Sequence, residues 1–430
     1  MASDPFCFFF SSLTNRSPFD RMEMKKNRKR GSLMKKSCFK KLLLLTLGAA
    51  LLLSGISCGK SKGNKEPAEE SAEPTDPTAQ TTAVPLEPLP VTEASVAEHL
   101  DDIFRPLGRY YIKDGLYQMD FACSGIHFVA ECEGRVQIQI STHRTVAFTV
   151  FVDGVRSTLE PLETNGMGAY VTVAMKLERG IHDFRIVDRT QFIWGNASFG
   201  NVKINGRFLE RPAERDLFLE FYGDSILNGS NVRMGGSSVV NSDATQAFGW
   251  LTAEAMNADM SLIGCGGIGL TKNKRSFVMK DIVEYCGAQY SLDTNAAGGY
   301  LLPHVPKYDF KRIPDAVIIE QGVNDGSNAS QEIFQTALTD MIRTLREKYG
   351  PDVPIVLLTG YTKTSSTNYN TAIPKIAEAL GGESANIYVC KVSNASASKD
   401  IGGDGTHPNT QTSKKMAEEL TDYLEKLLKQ

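Results

Sequence analysis

Residues 216–229 read DLFLEFYGDSILNG, and this stretch decides the fold of the C-terminal half of the chain. It begins with an almost continuous apolar run, which is typical of a strand buried on both faces of a parallel sheet. Gly223, Asp224 and Ser225 follow where that run stops. Ser225 is therefore either a nucleophile at the end of a buried strand or an ordinary turn serine, because Gly, Asp and Ser also favour turns.

The rest of the C-terminal half alternates between predicted strands and predicted helices. Apolar runs that end in glycine or polar residues occupy residues 258–267, 314–322, 354–360 and 385–392. Helical periodicity appears between them, in residues 243–257, after Ser330 and in residues 412–428. This alternation predicts a mostly parallel sheet with helices on both faces, an α/β three-layer domain that we assign to residues 213–430.

Two of these helices have apolar faces that can be assigned to the core. In the first helix, the predicted inward residues are Phe248, Leu251, Ala255 and Met256. The second begins at Ser330, ends at Gly350-Pro351, and is expected to bury Phe334, Leu338, Met341, Ile342 and Leu345.

Four polar, glycine-rich motifs lie where predicted strands end. In chain order they are Gly223-Asp224-Ser225, Gly266-Gly267-Ile268-Gly269, Gly322-Val323-Asn324-Asp325 and Asp404-Gly405-Thr406-His407-Pro408-Asn409. Each motif alone has an ordinary interpretation as a turn or loop. In open parallel sheets, however, sites form at the C-terminal ends of the strands. The four motifs together therefore predict one catalytic rim.

The first and last motifs supply residues for nucleophilic catalysis. A serine hydroxyl is a poor nucleophile until a base takes its proton, and histidine titrates in the right range for that role. His407 is the predicted base for Ser225. Asp404, three residues earlier, can reach the imidazole, fix its tautomer and stabilise the imidazolium. We therefore predict a triad of Ser225, His407 and Asp404.

The tetrahedral intermediate of ester cleavage needs hydrogen-bond donors aimed at its negatively charged oxygen. The backbone N–H groups of Ser225 and Gly267 and the side-chain amide of Asn324 are predicted to supply three such donors. Asp224 and Asp325, which flank these residues in sequence, are assigned as supporting residues.

Five other histidines compete for the role of base. His304 lies in a Pro-rich loop near the site region and is the reserve candidate, as the base or as a rim residue that touches substrate. The other four lie in or at the edge of the predicted β domain and have no carboxylate partner at the motif spacing: His99, His127, His143 and His182.

The N-terminal half has a different pattern of apolar residues, which alternate with a period of two. Residues 98–212 contain short runs of Val, Ile, Phe and Thr that alternate like strands, separated by turn signals such as Asp153-Gly154 and Asn205-Gly206. No convincing helix interrupts them. We predict a β-sandwich of jelly-roll type.

The extreme N-terminus has the composition of an export signal. Residues 34–41 are basic and residues 42–57 are apolar, which is signal-peptide length. The stretch Ser54-Gly55-Ile56-Ser57-Cys58 resembles a bacterial lipobox, so residues 34–58 are predicted to be a lipoprotein signal peptide with Cys58 lipidated. Ordinary cleavage or an uncleaved anchor are the alternatives. Residues 1–33 are interpreted as over-extended translation.

Charge and composition limit the kinds of molecule that the protein is expected to bind. Residues 59–97 are rich in Pro, Glu and Thr and are predicted to be a disordered linker between the envelope surface and the domains. After residue 57 the chain carries 36 Lys and Arg against 47 Asp and Glu, a net charge of −11. Such an acidic chain has no general electrostatic attraction for nucleic acid. The predicted location is the bacterial cell envelope or surface, with secretion as the alternative.

The cysteine pattern argues against a metal centre. The five cysteines after Cys58 include neither a C-x-x-C pair nor a Cys/His cluster, so we expect no zinc site, and no other metal or organic cofactor is required. Their odd number allows at most two disulfides. Free buried thiols are the favoured interpretation.

The four motifs resemble the blocks of the SGNH (GDSL-type) hydrolase superfamily over residues 216–430. The resemblance implies Ser225 as nucleophile, Gly267 and Asn324 as oxyanion donors, His407 as base and Asp404 as the acidic member. GIHFVAECEG at 125–134 and GIHDFRIVDRTQ at 180–191, together with the motifs, also resemble two-domain acetylesterases of carbohydrate esterase family 2. That resemblance implies removal of O-acetyl groups from polysaccharides.

Two features depart from the second family. It usually has Asp-Trp-His-Pro in its last block, whereas here Gly405 and Thr406 separate the acid from the histidine, and Gly326 replaces an aromatic that often follows the Asn-Asp pair. Aromatic side chains provide flat faces that bind sugar rings. The candidates to replace them are Trp194, Tyr290, Tyr300 and Tyr361.

The sequence therefore predicts a serine-dependent carbohydrate O-acetylesterase that acts through an acyl-enzyme on acetylated carbohydrate, and leaves the oligomeric state open. Two alternatives remain at this point. One is an SGNH esterase or lipase acting on other short acyl esters. The other is a non-catalytic, glycan-binding lipoprotein.

Overall fold

The computed structural model describes residues 87–429 apart from several internal segments, which are 158–161, 165, 167, 234–238, 272–274, 292–298, 303, 326–329, 361–366 and 394–406. The predicted signal peptide with Cys58, most of the predicted linker, Tyr361 and Asp404 lie outside the described residues. From Val84 onward the chain forms one compact unit.

The N-terminal half of this unit is built from antiparallel strands. They are β1 (Val91–Ser95), β2 (Arg105–Leu107), β3 (Tyr111–Lys113), β4 (Leu116–Met119), β5 (Gly125–His143), β6 (Val146–Val152), β7 (Val155–Arg156), β8 (Leu162–Thr164), β9 (Ala169–Asp188) and β10 (Asn196–Phe208). The path β3-β4-β10-β5-β9-β6-β7 connects most of them. Alternate residues of β5 point inward, among them Ile126, Phe128 and Ala130, as period-two burial requires. Among the described residues of this half no helix occurs, as predicted.

The predicted linker is too long at its C-terminal end. Strand β1 lies within residues 59–97 and pairs with β10 from Val91 opposite Asn205 to Ser95 opposite Asn201. Ala94 and Val96 are buried in the core of this half. Pairing with the free edge of β10 satisfies the backbone of this segment, a gain that composition alone does not reveal.

The C-terminal half contains a five-stranded sheet, parallel throughout, in the order β12-β11-β15-β16-β17. Its strands are β11 (Leu217–Gly223), β12 (Ala258–Gly264), β15 (Ala316–Ile319), β16 (Ile355–Thr359) and β17 (Ile387–Lys391). A small antiparallel pair, β13 (Tyr290–Ser291) and β14 (Tyr300–Leu301), stands apart from it. The predicted parallel sheet is confirmed.

Helices cover both faces of this sheet. They are α1 (Phe248–Ala255), α2 (Gln331–Tyr349), α3 (Thr367–Ala379) and α4 (Thr410–Leu428), with 3-10 turns at Ala244–Gln246, Met279–Asp281 and Gly382–Ala385. Successive residues of β15 enter opposite cores: Val317 and Ile319 pack in the core of α2 and α3, and Ile318 packs in the core of α1 and α4. The sheet is therefore the middle layer of three. No described helix is both long and apolar enough to span a membrane.

The two helix predictions have different outcomes. Helix α2 begins after Ser330, whose side chain accepts the N–H of Ile333, and it buries all five predicted residues. In α1 the predicted inward face is right for Phe248, which is buried, and Leu251 and Met256 are half-buried against the same core, but Ala255 is exposed. The buried residues of the helix also include Gly249, Trp250, Thr252 and Ala253. Gly249 allows close approach to Leu227, which a side chain would block.

Buried contacts join the two halves. Arg109, just after β2, is fully buried and donates to Glu220 in the inner strand β11 at 2.7 Å and to the carbonyl of Val283 at 2.6 Å. The rings of Phe151 and Trp250 stack with centroids 5.8 Å apart. Removing one partner of a buried ion pair leaves an uncompensated charge. The N-terminal half is therefore part of the structure that supports β11.

The five predicted free thiols are unpaired, and four of them are buried, with Cys286 half-buried. Among the residues that the structure describes, no group of three or more His, Cys, Asp or Glu side chains is arranged to hold a metal ion.

Candidate active site

The first three motifs follow parallel strands, as predicted. Gly223 ends β11 and lies opposite Gly264, which ends β12, while Asn324 follows β15. A Cβ on Gly264 would come within 1.8 Å of the Gly223 carbonyl oxygen, so only glycine permits this approach of the two strand ends. The first and second motifs are thereby placed side by side at one edge of the sheet.

Ser225 lies in a tight turn that its neighbours hold by hydrogen bonds. The Asp224 carboxylate accepts the N–H of Ile226 at 2.9 Å, and the Asp224 carbonyl accepts the Asn228 side-chain amide at 2.8 Å. The N–H of Ser230 donates to the Ser225 carbonyl at 2.9 Å. Ser225 is 9% exposed, and its hydroxyl lies 3.4 Å from Asp224 Oδ1. The turn presents a partly accessible hydroxyl on a fixed backbone.

Asp224 links the first motif to the third. Its Oδ2 accepts a hydrogen bond of 2.7 Å from Asn324 Nδ2, although the two residues are far apart in sequence. This bond fixes the plane of the Asn324 amide beside Ser225. Orientation of a donor before the reaction is what stabilises a developing oxyanion most effectively. The supporting role predicted for Asp224 is therefore one that its contacts can perform.

Asp325 links the third motif to the second. Its carboxylate accepts the N–H of Thr271 at 2.6 Å, the hydroxyl of Thr271 at 2.6 Å and the N–H of Leu270 at 3.2 Å. The side chain is buried, and burial raises the pKa of Asp325 while the Thr271 bonds oppose the shift. Asp325 thus holds the loop after Gly267 against the loop that carries Asn324.

His407 lies half-buried just before α4. Burial raises the pKa of Asp224 to about 6, and the hydrogen bond from the Ile226 N–H and the nearby His407 oppose that rise. Asn409, two residues on, caps α4 by accepting the N–H of Thr412 at 2.9 Å. Asp404 lies outside the described residues, so its predicted role as the acidic member stays a prediction.

Glu320 was not among the predicted site residues. It follows β15, is fully buried, and accepts the N–H of Asp224 at 2.9 Å. Burial and the neighbouring Asp224 carboxylate raise the pKa of Glu320 well above its ordinary value. The raised pKa favours the neutral carboxylic acid form of Glu320 beneath the turn that carries Ser225. Sequence reasoning could not identify Glu320, because a single Glu after an apolar run equally suits an exposed loop.

Replacement of Glu320 by glutamine tests this protonation state. A carboxyl with a raised folded-state pKa must take up a proton on folding, so wild-type stability should fall as pH rises above the ordinary pKa of about 4.5. The loss of unfolding free energy is about 1.4 kcal/mol per pH unit, up to the folded-state pKa. Glu320→Gln has no carboxyl that must be protonated on folding. The melting temperature of this variant minus that of wild type should therefore increase from pH 5 to pH 8. Thermal unfolding across that range measures the difference.

Glu347, exposed on α2, provides the matched control. Glu347→Gln should leave the pH dependence of the melting temperature unchanged. A difference in melting temperature between Glu320→Gln and wild type that does not vary with pH would show that Glu320 is ionised in the folded protein throughout this range.

The remaining histidines are placed elsewhere. His304 is exposed and contacts Gln289, and three histidines of the β half pair with carboxylates: His99 with Asp102, His127 with Asp183 and His182 with Asp153. None of these carboxylates lies three residues before its histidine, so the prediction that the β-half histidines lack a partner at the Asp404–His407 spacing is not contradicted. Long-range strand pairing supplies two of the partners, which local spacing cannot show.

The predicted aromatic candidates also differ in position. Tyr290 is 3% exposed and packs against Phe192 and Phe277, so it belongs to the core and offers no face to a sugar. Tyr300 is 42% exposed and Trp194 is half-buried. Tyr361 lies outside the described residues.

Known proteins resemble this chain in sequence and in structure. Residues 221–415 match the model of the GDSL-like Lipase/Acylhydrolase family. The chain is 24% identical over 349 residues to a curated acetylxylan esterase / glucomannan deacetylase of Cellvibrio japonicus, covering 71% of this chain and 92% of that protein.

Solved structures share the fold of both halves. A family two carbohydrate esterase from Clostridium thermocellum, solved in complex with cellohexaose, has a TM-score of 0.66 at 23% identity, covering 76% of this chain and 99% of that one. An acetyl xylan esterase from Butyrivibrio proteoclasticus has a TM-score of 0.66 at 20% identity, covering 79% and 99%. Residues 221–415 therefore form a domain of the GDSL-like lipase/acylhydrolase type.

Proposed function

We propose that this protein is a serine-dependent carbohydrate O-acetylesterase. One observation supports it above the others: the Asp224 carboxylate lies within hydrogen-bonding distance of both Ser225 Oγ and Asn324 Nδ2, with His407 near the same carboxylate. A nucleophile, a candidate oxyanion donor and a base thus share one edge of the sheet. That is the set of groups that acyl transfer requires.

In the first step, Ser225 Oγ attacks the carbonyl carbon of the acetyl ester as His407 takes the hydroxyl proton. The carbonyl oxygen becomes an oxyanion, for which the N–H groups of Ser225 and Gly267 and the Asn324 amide are the proposed donors. When the intermediate collapses, the bond to the sugar oxygen breaks. His407 returns the proton to that oxygen, the sugar hydroxyl leaves, and acetyl-Ser225 remains.

In the second step, water replaces the sugar. His407 removes a proton from water as it attacks the acetyl carbon, and the same donors hold the second oxyanion. Ser225 Oγ leaves with the proton from His407, and acetate is released. Asp404 is proposed to orient His407 through both steps.

The identity of the substrate rests on the relatives. The curated relative acts on acetylated xylan and glucomannan by its name, and the Clostridium esterase was solved with an oligosaccharide bound. The shared two-domain architecture supports the same substrate class here. We also propose that the N-terminal half is a β-sandwich of jelly-roll type and that lipidated Cys58 tethers the exported protein to the cell envelope, both supported by the sequence.

One observation favours a second candidate, hydrolysis of longer acyl esters. A cavity of about 720 Å³ lies along α2 and is lined by the apolar side chains of Leu270, Val278, Ile333 and Met341. Leu270 belongs to the loop that Asp325 holds, so the cavity adjoins the second motif. An acyl chain is a plausible occupant of such a surface.

Acyl-chain length separates the two candidates. If the protein is an acetylesterase, kcat/KM for p-nitrophenyl acetate should exceed that for p-nitrophenyl octanoate by about 100-fold or more, because a site shaped for acetyl cannot hold a longer chain. An acetylesterase should also release acetate from acetylated xylan and glucomannan, and NMR can monitor that release. Equal or better cleavage of octanoate, with no acetate released from either glycan, would favour the second candidate.

A further inference from the structure

Gln191 of the N-terminal half reaches into the candidate active site. It lies in the loop between β9 and β10 and is 3% exposed. Its Oε1 accepts the N–H of Gly266, and its Nε2 donates to Ser230 Oγ at 3.1 Å. One side-chain amide from the β half therefore bridges the second motif and the turn that carries Ser225.

The Gly266 contact lies one residue from the proposed oxyanion donor. Arg275 Nε donates to the Gly266 carbonyl at 2.9 Å, so the N–H and the C=O of Gly266 are both fixed. In a planar trans peptide the N–H of Gly267 points opposite to that carbonyl. The Arg275 bond therefore sets the direction of the Gly267 N–H, and the Gln191 bond fixes the preceding peptide, so that Gly266 is held on both sides. The positive φ of Gly267, 81°, gives the turn its shape.

The Ser230 contact leads to the nucleophile. The backbone N–H of Ser230 donates to the Ser225 carbonyl, which closes the turn around the hydroxyl. Gln191 holds the side chain of the same serine. Both predicted backbone donors, the N–H groups of Ser225 and Gly267, thus lie in segments tied to one glutamine.

The surroundings of Gln191 are rigid. A Cβ on Gly266 would come within 3.0 Å of Gln191 Oε1, so the amide packs directly on the glycine backbone. Phe192, the next residue, packs against Phe121, Phe277 and Tyr290. This packing fixes the backbone next to Gln191. Moving the Gln191 amide away from Gly266 would therefore disturb a closely packed aromatic core.

We propose that Gln191 is a positioning residue for the oxyanion hole, so that the N-terminal half completes the active site. This inference rests on the proposed function, because it assumes that Gly267 and Ser225 donate to an oxyanion. It predicts a defect in the chemical step with little effect on substrate binding.

Gln191→Met in the full chain tests the inference, since methionine keeps the length and removes both hydrogen bonds. We expect kcat for p-nitrophenyl acetate to fall about 10- to 100-fold with KM within about twofold, since a misdirected donor costs part of what a lost donor costs. Gln191→Asn keeps a polar amide but is too short to reach both partners, and it should show the same pattern if the methionine variant folds poorly. Melting temperatures establish folding.

Gln139→Met is the matched control, because the Gln139 amide also bridges backbone groups of the β half, at Gly168 and Asn201, away from the site. It should leave kcat unchanged. Folded Gln191 variants with kcat within about twofold of wild type, or with the loss confined to KM, would overturn the inference.

The activity of the wild-type protein distinguishes failure of this inference from failure of the proposed function. If wild type cleaves p-nitrophenyl acetate but no acetylated glycan, the substrate assignment fails and the Gln191 comparison still decides the inference. If wild type neither cleaves the ester nor reacts covalently with diethyl p-nitrophenyl phosphate, both the proposed function and the inference are overturned.

Discussion

Replacement of Ser225 by alanine is expected to lower kcat for p-nitrophenyl acetate by about 10⁶-fold, the scale seen when the nucleophile of a serine hydrolase is removed. Without the hydroxyl no acetyl-enzyme forms, and only attack by water on an ester held in the site remains. The Asp224 contacts with Ile226 and Asn324 do not involve the Ser225 side chain, so the turn should persist. Steady-state kinetics at neutral pH, with melting temperatures for both proteins, measure the effect.

Ser198 supplies the control, because it is also a buried serine but lies in β10, within the N-terminal half. Ser198→Ala should keep wild-type kcat. Ester cleavage that survives Ser225→Ala in a homogeneous preparation would mean that another residue is the nucleophile and that the turn after β11 has only a structural role.

Replacement of His407 by alanine is expected to lower kcat by a similar factor, about 10⁶-fold, because Ser225 then has no base to take its proton. The two residues act as one unit. The double variant Ser225→Ala with His407→Ala should therefore be no slower than either single variant. Kinetics of the three variants on the same ester give the comparison.

His182 is a suitable control, since it also contacts a carboxylate, Asp153, but on the β half. His182→Ala should leave kcat unchanged. If the losses from Ser225→Ala and His407→Ala multiply in the double variant, the two side chains act independently, and His407 is not the base for Ser225.

The sequence predicted the parallel sheet and the positions of the motifs for a physical reason. Strands buried on both faces must be apolar along their whole length, and polar residues then mark where they end. Parallel strands deliver those ends to one edge, so Ser225 and Asn324 meet even though many residues separate them. The Asp224–Asn324 hydrogen bond, at 2.7 Å, is the direct result.

The sequence could not predict contacts that depend on packing between distant segments. Gln191 follows β9 in the other half, and nothing in residues 188–192 shows that its amide meets Gly266. Glu320 looks like a solvent-exposed residue until the approach of β11 places the Asp224 N–H on it. Strand β1 has the composition of a linker but pairs with an open edge. In each case tertiary contact outweighs local preference.

Covalent labelling with diethyl p-nitrophenyl phosphate tests most directly whether Ser225 and His407 form one hydrolytic site. The phosphoryl group should add once to wild type, on Ser225, within the tryptic peptide of residues 216–233, as read by intact mass and peptide mapping. Ser225→Ala should show no adduct, and His407→Ala should react at least about 100-fold more slowly. An adduct on any other residue, or equal labelling rates without His407, would contradict the convergence of these side chains at the edge of the sheet.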